Sequence, residues 1–80
     1  MKLYLISQDA NSEYDTYDSA VVRAPDAETA RGMSPNNGLP MDWSKSDEWA
    51  RSIDQVNVQY LGEAIPGSEQ GLVLSSYNAG

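Results

Sequence analysis

The 80-residue chain contains no cysteine and no histidine. Without cysteine there is no disulfide, zinc finger, iron–sulfur cluster or thiol nucleophile. Without histidine there is no imidazole base, no Ser-His-Asp triad and no ordinary transition-metal site. Phenylalanine is also missing, and Val, Ile and Leu together number fourteen, a content at which a strongly charged chain can stay disordered. Five Tyr, two Trp and three Met supply further surface to bury. Basic residues are scarce, five against twelve acids, which gives a formal net charge of −7 and a pI near 4.1. The longest continuous apolar run, Leu3 to Ile6, is too short for a membrane span or a signal-peptide core. The expectation is one small domain over 1–80 with a thin core, located in the cytoplasm. Its acidity argues against direct binding to nucleic acid or an anionic membrane and in favour of a basic partner.

Local patterns predict the elements. Leu3-Tyr4-Leu5-Ile6-Ser7 reads as a buried strand, and Val21-Val22-Arg23-Ala24, starting near Tyr17 to Ser19, as a second. Residues 25–32 predict a short helix, with Pro25 in its first turn, acids at its N-terminal end, Arg31 near its C-terminal end and Gly32 as a left-handed stop. Two prolines and a glycine make 34–42 a loop. Residues 44–51 predict a second helix, with Ser44 and Asp47 spaced as in a capping box. Val56, Val58 and Tyr60 alternate along a third strand, Pro66-Gly67 marks a turn or hairpin loop, and Leu72-Val73-Leu74-Ser75-Ser76-Tyr77 is a fourth strand. The fold class is therefore α+β: a small antiparallel or mixed four-stranded sheet, β-β-α-(α)-β-β, with hairpins at both ends and one or two short helices on one face. The expected core is Leu3, Leu5, Val21, Ala27, Ala30, Trp49, Ile53, Val56, Val58, Tyr60, Leu72 and Leu74.

Between Leu3 and Val22 no basic residue occurs, while Asp9, Glu13, Asp15 and Asp18 fall within ten positions, interleaved with Tyr14 and Tyr17. Spaced carboxylates on a loop can reproduce the charge of a nucleic-acid backbone, and tyrosines add stacking and hydrogen-bonding surface. The same segment also reads as an ordinary solvated hairpin loop. Asp9, Asn11, Glu13 and Asp15 alternate as in a calcium loop, but Tyr14 stands where the sharp turn needs glycine and Ala20 where a bidentate Glu is needed. No metal site is expected. A second acidic group, Asp42, Asp47, Glu48 and Asp54, surrounds Trp43 and Trp49, with Lys45 and Arg51 as partial offsets. Trp49 is expected in the core and Trp43 at the surface as a contact residue. No catalytic or cofactor-binding residues stand out: Ser75 and Ser76 lack a base, and the glycines lack phosphate-loop spacing.

The segments Lys2-Leu3-Tyr4-Leu5-Ile6-Ser7-Gln8, Tyr14-Asp15-Thr16-Tyr17-Asp18-Ser19-Ala20-Val21-Val22, Tyr60-Leu61-Gly62-Glu63-Ala64 and Ser76-Tyr77-Asn78-Ala79-Gly80 together resemble a group of small phage and prophage proteins. The resemblance spans about three-quarters of the chain, and the stretch from Met33 to Ser46 is shorter than in that group. The sequence is also similar to phage anti-CRISPR proteins that act on type I (Cascade) surveillance complexes. That resemblance implies a small, non-enzymatic inhibitor in the cytoplasm of an infected bacterial host, without cofactor, that occludes a lysine- and arginine-rich DNA groove. Asp9, Glu13, Asp15 and Asp18 are then the candidate phosphate surrogates, with Tyr14, Tyr17 and Trp43 as partner contacts. A different class of function, a sponge for a host immune nucleotide, would call on Arg23, Arg31, Asn36 and Asn37. An accessory structural or regulatory phage domain is the third reading.

Overall fold

Two short runs rich in Leu, Ile, Val and Tyr pair antiparallel at the centre of the molecule: Lys2–Ser7 (β1) and Thr16–Ala24 (β2). Asn57–Glu63 (β3) adds to the outer edge of β1, and Gly71–Asn78 (β4) to the outer edge of β2, both antiparallel. The result is an α+β fold with a four-stranded antiparallel sheet of order β3-β1-β2-β4. The structure, a computed structural model, describes residues 1–12 and 15–78.

The strand order corrects the expectation of a second hairpin. β3 and β4 lie on opposite edges of the sheet, and residues 64–70 carry the chain from one edge to the other. Seven extended residues reach about 23 Å, ample for three strand spacings of about 4.8 Å each. The connection is held at the sheet's end by Ala64 N–H donating to the Met1 carbonyl and by Arg23 Nε donating to the Glu69 carbonyl.

One face of the sheet carries the core. Tyr4, Ile6, Ala20, Val22 and Ala24 point to it, and Ala30, Met33, Trp49, Ala50 and Val56 close over them. Strands β1 and β2 are therefore in the opposite phase to the one expected: Tyr4 and Ile6 are buried instead of Leu3 and Leu5, and Val22 instead of Val21. Both faces of these strands are apolar, so alternation alone does not select one. Arg23 shares a face with Leu3, Leu5 and Val21, whereas Ala20 and Ala24 share the other. The small alanines leave depth for Trp49 and Met33, and an arginine under a cover would have to bury its charge. Ala30, Trp49 and Val56 sit in the core as expected, with Ala27, Val58 and Leu72 half-buried against it. Ile53, Tyr60 and Leu74 are exposed, Leu74 at 60 %.

The cover is less helical than the sequence suggests. Ala27–Arg31 (α1) is one short helix whose N-cap is Asp26, its carboxylate accepting the Thr29 N–H at 2.8 Å. Gly32 closes it at φ −88°, not in the left-handed region. Residues 44–51 do not form a second helix. A 3₁₀ turn at Trp43–Lys45 is capped by Asp42, a bent segment follows, and a second 3₁₀ turn spans Ile53–Gln55. Three carbonyls of the bent segment are committed elsewhere: Asp47 and Trp49 accept from the Asn11 amide, and Glu48 accepts from the Tyr17 N–H. The Ser46 hydroxyl donates to the Ala50 carbonyl. Without a helix, Asp47 and Arg51 do not share a helical face as residues four apart in a helix would. Between the two cover segments, the 34–39 loop is closed by Ser34 N–H to the Leu39 carbonyl and Met41 N–H to the Gly32 carbonyl. Its Gly38 (φ +75°) lies so close to β4 that a Cβ would stand 2.5 Å from the Leu72 nitrogen.

Candidate functional site

The two acidic stretches, separated in sequence by some thirty residues, meet at one end of the sheet. That end is where β1 finishes at Ser7, β2 begins at Thr16 and β4 finishes at Asn78. Gln8 and Asn11, both buried, hold the loop that leaves β1. The Gln8 amide donates to the carbonyls of Asn11 and Tyr17, each at 2.8 Å, and its oxygen accepts the Asn11 N–H. The Asn11 amide then reaches across to the carbonyls of Asp47 and Trp49 at 3.1 and 3.2 Å. Tyr17 N–H donates to the Glu48 carbonyl at 2.7 Å, a second tie between the segments.

These ties bring Asp9, Asp15 and Asp18 to the same end as Asp47 and Glu48, all five exposed. Asp15 adopts φ +63°, and its N–H donates to the Asn78 carbonyl. Asp18 occupies a β-bulge opposite the Tyr77/Ser76 step and accepts from the Ser19 hydroxyl. Tyr17 and Tyr77 meet edge to face, with ring centroids 4.7 Å apart. Loss of water around the Tyr77 ring, and then the carboxylates of Asp15 and Glu48, push its hydroxyl pKa up. A single phenol thus senses one carboxylate from each stretch. The opposite end of the sheet carries Lys2 and Arg23 together with Asp26, Glu63 and Glu69, so negative charge is concentrated at the Asp15/Glu48 end.

The proposed contacts fall unevenly. Asp9, Asp15 and Asp18 are surface carboxylates. Tyr17 is half-buried, and its hydroxyl donates to Asn36 Oδ1 at 3.0 Å, so it is partly committed to the fold. Trp43 packs half-buried against the core instead of standing at the surface as a contact. Glu13 and Tyr14 lie outside the described residues. Beside Tyr17 is a cleft of ≈ 170 Å³ bordered by Asn36, Lys45, Asp47, Glu48 and Trp49. The fully buried Trp49 indole Nε1 has no hydrogen-bond partner. Among the described residues no three carboxylates gather closely enough to hold a metal ion. The residues suggested for a nucleotide pocket are dispersed. Arg23 projects from the face opposite the core, while Arg31 in α1 donates to the Val56 carbonyl on the covered side.

Sequence reasoning missed Asn11 and Tyr77. Asn11 sits in a polar run between two strands, which signals a loop and gives no hint that its amide is buried. Tyr77 joins the site only because β4 lies beside β2. The chain matches no protein-family model, and no curated protein or solved structure is significantly similar to it. No helix among the described residues is long and apolar enough to cross a membrane.

Proposed function

We propose that the protein is a non-enzymatic inhibitor, encoded by a phage, that works in the cytoplasm of an infected bacterial host. Its acidic end occupies the lysine- and arginine-rich DNA groove of a type I CRISPR surveillance complex and excludes target DNA. The observation that carries the reading is the joining of two acidic stretches at one end by Asn11 and Tyr17. A patch of one sign attracts a groove of the other, raises the rate of encounter and competes with phosphates for the same cations. The resemblance to anti-CRISPR proteins supplies the identity of the partner, and the net charge of −7 agrees with a basic one.

The experiment is a competition: binding of labelled target DNA to purified surveillance complex, measured with increasing amounts of the protein. DNA binding is expected to fall, and the inhibition to weaken as salt rises, because the Debye length is only about 8 Å at physiological ionic strength. A variant with Asp9, Asp15, Asp18, Asp47 and Glu48 changed to Asn or Gln should keep its melting temperature and lose most of the inhibition. Full inhibition by that variant, or inhibition insensitive to salt, would sink the reading.

A further inference from the structure

The sheet face opposite the core has no layer over it among the described residues. Leu3, Leu5 and Val21 lie at its centre, flanked by Leu61 on β3 and by Val73 and Leu74 on β4. Leu61 and Val73 are the extra residues of two β-bulges, and each bulge adds a side chain to this face. Of the fourteen Val, Ile and Leu residues, only Ile6, Val22 and Val56 are fully buried in the core, whereas these six line the open face. Ile65 stands at its border, beside Leu3 and Val73. The patch is bounded toward the acidic end by an uncharged row, Asn57, Ser7, Ser19 and Ser76. Arg23 projects from it, Gln59 lies on it opposite Leu5, and Glu63 borders the hollow between Leu3 and Val73.

We propose that two copies of this chain pack sheet on sheet through this face, with the strands of one copy running opposite to those of the other. Area, composition and charge each favour a second copy over a foreign partner. Four strands about 4.8 Å apart and six residues of about 3.3 Å each give a flat footprint of about 400 Å². Counted over both copies that is about 800 Å², and side-chain relief raises it toward the roughly 1,000 Å² at the low end of specific interfaces. An apolar centre with a polar rim is the composition of such interfaces. Charge bears on the choice of partner. Copies carrying −7 each repel one another through every acidic surface, and the centre of this face, Leu3, Leu5 and Val21, carries no carboxylate. A basic partner is drawn instead to the acidic end. A two-fold axis lying across the strands, between the Leu3 and Leu5 rows, sets apolar rows on apolar rows. Sheets stacked in this way pack about 10 Å apart with strands nearly aligned. The dimer is independent of the function proposed above, and it leaves both acidic ends at the outside, at opposite poles.

The test is the mass of the full chain in solution, by sedimentation or light scattering over a dilution series. The expected parent mass is twice 8.7 kDa at high concentration, falling toward 8.7 kDa on dilution. Leu74→Glu places a carboxylate in the joint beside Val21 and should give 8.7 kDa at every concentration with an unchanged circular dichroism spectrum. Leu39→Glu, at a residue as exposed as Leu74 (62 % against 60 %) but on the cover-side loop, should leave the dimer intact. Leu61→Glu repeats the test on the other edge strand should the first variant lose its fold. A parent of 8.7 kDa at all concentrations, or a folded Leu74→Glu or Leu61→Glu that remains dimeric, overturns the proposal.

Discussion

The two faces of this sheet are built from the same strands and carry opposite solutions to the problem of burial. On the covered face the sheet contributes, beside Tyr4, the smaller residues Ala20, Ala24, Val22 and Ile6, and large side chains from outside the sheet, Trp49 and Met33, fill the depth. On the open face the branched residues Leu3, Leu5, Val21 and Leu74 have no layer over them among the described residues. A small domain gains more from one wide, deep side chain held at the centre of its core than from many short ones spread over two faces, because only the former excludes water from all sides. The lesson is that hydrophobic count is a poor guide to core position: the face with more aliphatic residues is the one left uncovered.

The comparison can be broken most severely by placing the same charge on adjacent residues. Ile6→Asp buries an unpaired carboxylate under Trp49, a cost of several kcal/mol set against a total stability of about 4–12 kcal/mol for a chain of this length. It should abolish the cooperative melt. Leu5→Asp, one residue away on the open face, should retain it. Equal loss in both variants, followed by circular dichroism on heating, would show that the faces do not differ.

Glycines sharpen the contrast at smaller scale. Gly38→Ala drives a methyl group against the β4 backbone and keeps a positive φ, so it should cost about 2–3 kcal/mol. Gly67→Ala, also at positive φ (+87°) but with nothing within 4 Å, should cost about 1 kcal/mol. Urea midpoints of the two variants measure the difference, and a harmless Gly38→Ala would mean that the 34–39 loop does not press on β4.

The smallest effect belongs to the cap of α1 on the covered face. The Thr29 backbone N–H holds the Asp26 carboxyl below the ordinary aspartate value, with the Thr29 side chain and Lys2 acting in the same direction. A folded value below the unfolded one adds stability above the unfolded pKa, and that contribution is lost as the pH falls through the folded one. Asp26→Asn keeps a capping oxygen and removes the titration. Its melting temperature should therefore fall less than the parent's between about pH 5 and pH 2. Parallel acid limbs would contradict this.

Much of the fold was legible. The strands follow from short apolar runs bounded by turn residues, and α1 from Asp26, Glu28 and Arg31 at the ends where the helix dipole favours them. The phase of β1 and β2 was also written in the sequence, at Arg23: its face cannot be the covered one, and Ala20 and Ala24 mark the other. The strand order was not legible, because the run 64–70 is long enough either to turn back on β3 or to cross the sheet. Nor was the non-helical path of 44–51, which depends on a side chain, Asn11, more than thirty residues away. The acidic residues could be counted in the sequence. Their convergence could not, since it rests on two buried amides and on β4 bringing Tyr77 to Tyr17.

The strand order also sets a sequence of events in time. Joining β1 to β2 closes a loop of residues 8–15, whereas seating β3 on β1 closes residues 8–56, an entropic cost greater by about 1.5 kcal/mol. The central hairpin is thus the natural nucleus, and each edge strand condenses on a template already made. On such a route β4 arrives late, and the 34–39 loop has nothing to lie against until Leu72 is in place. Weakening β4 should then quicken unfolding and leave the refolding rate nearly unchanged, whereas weakening β1 or β2 should slow refolding itself.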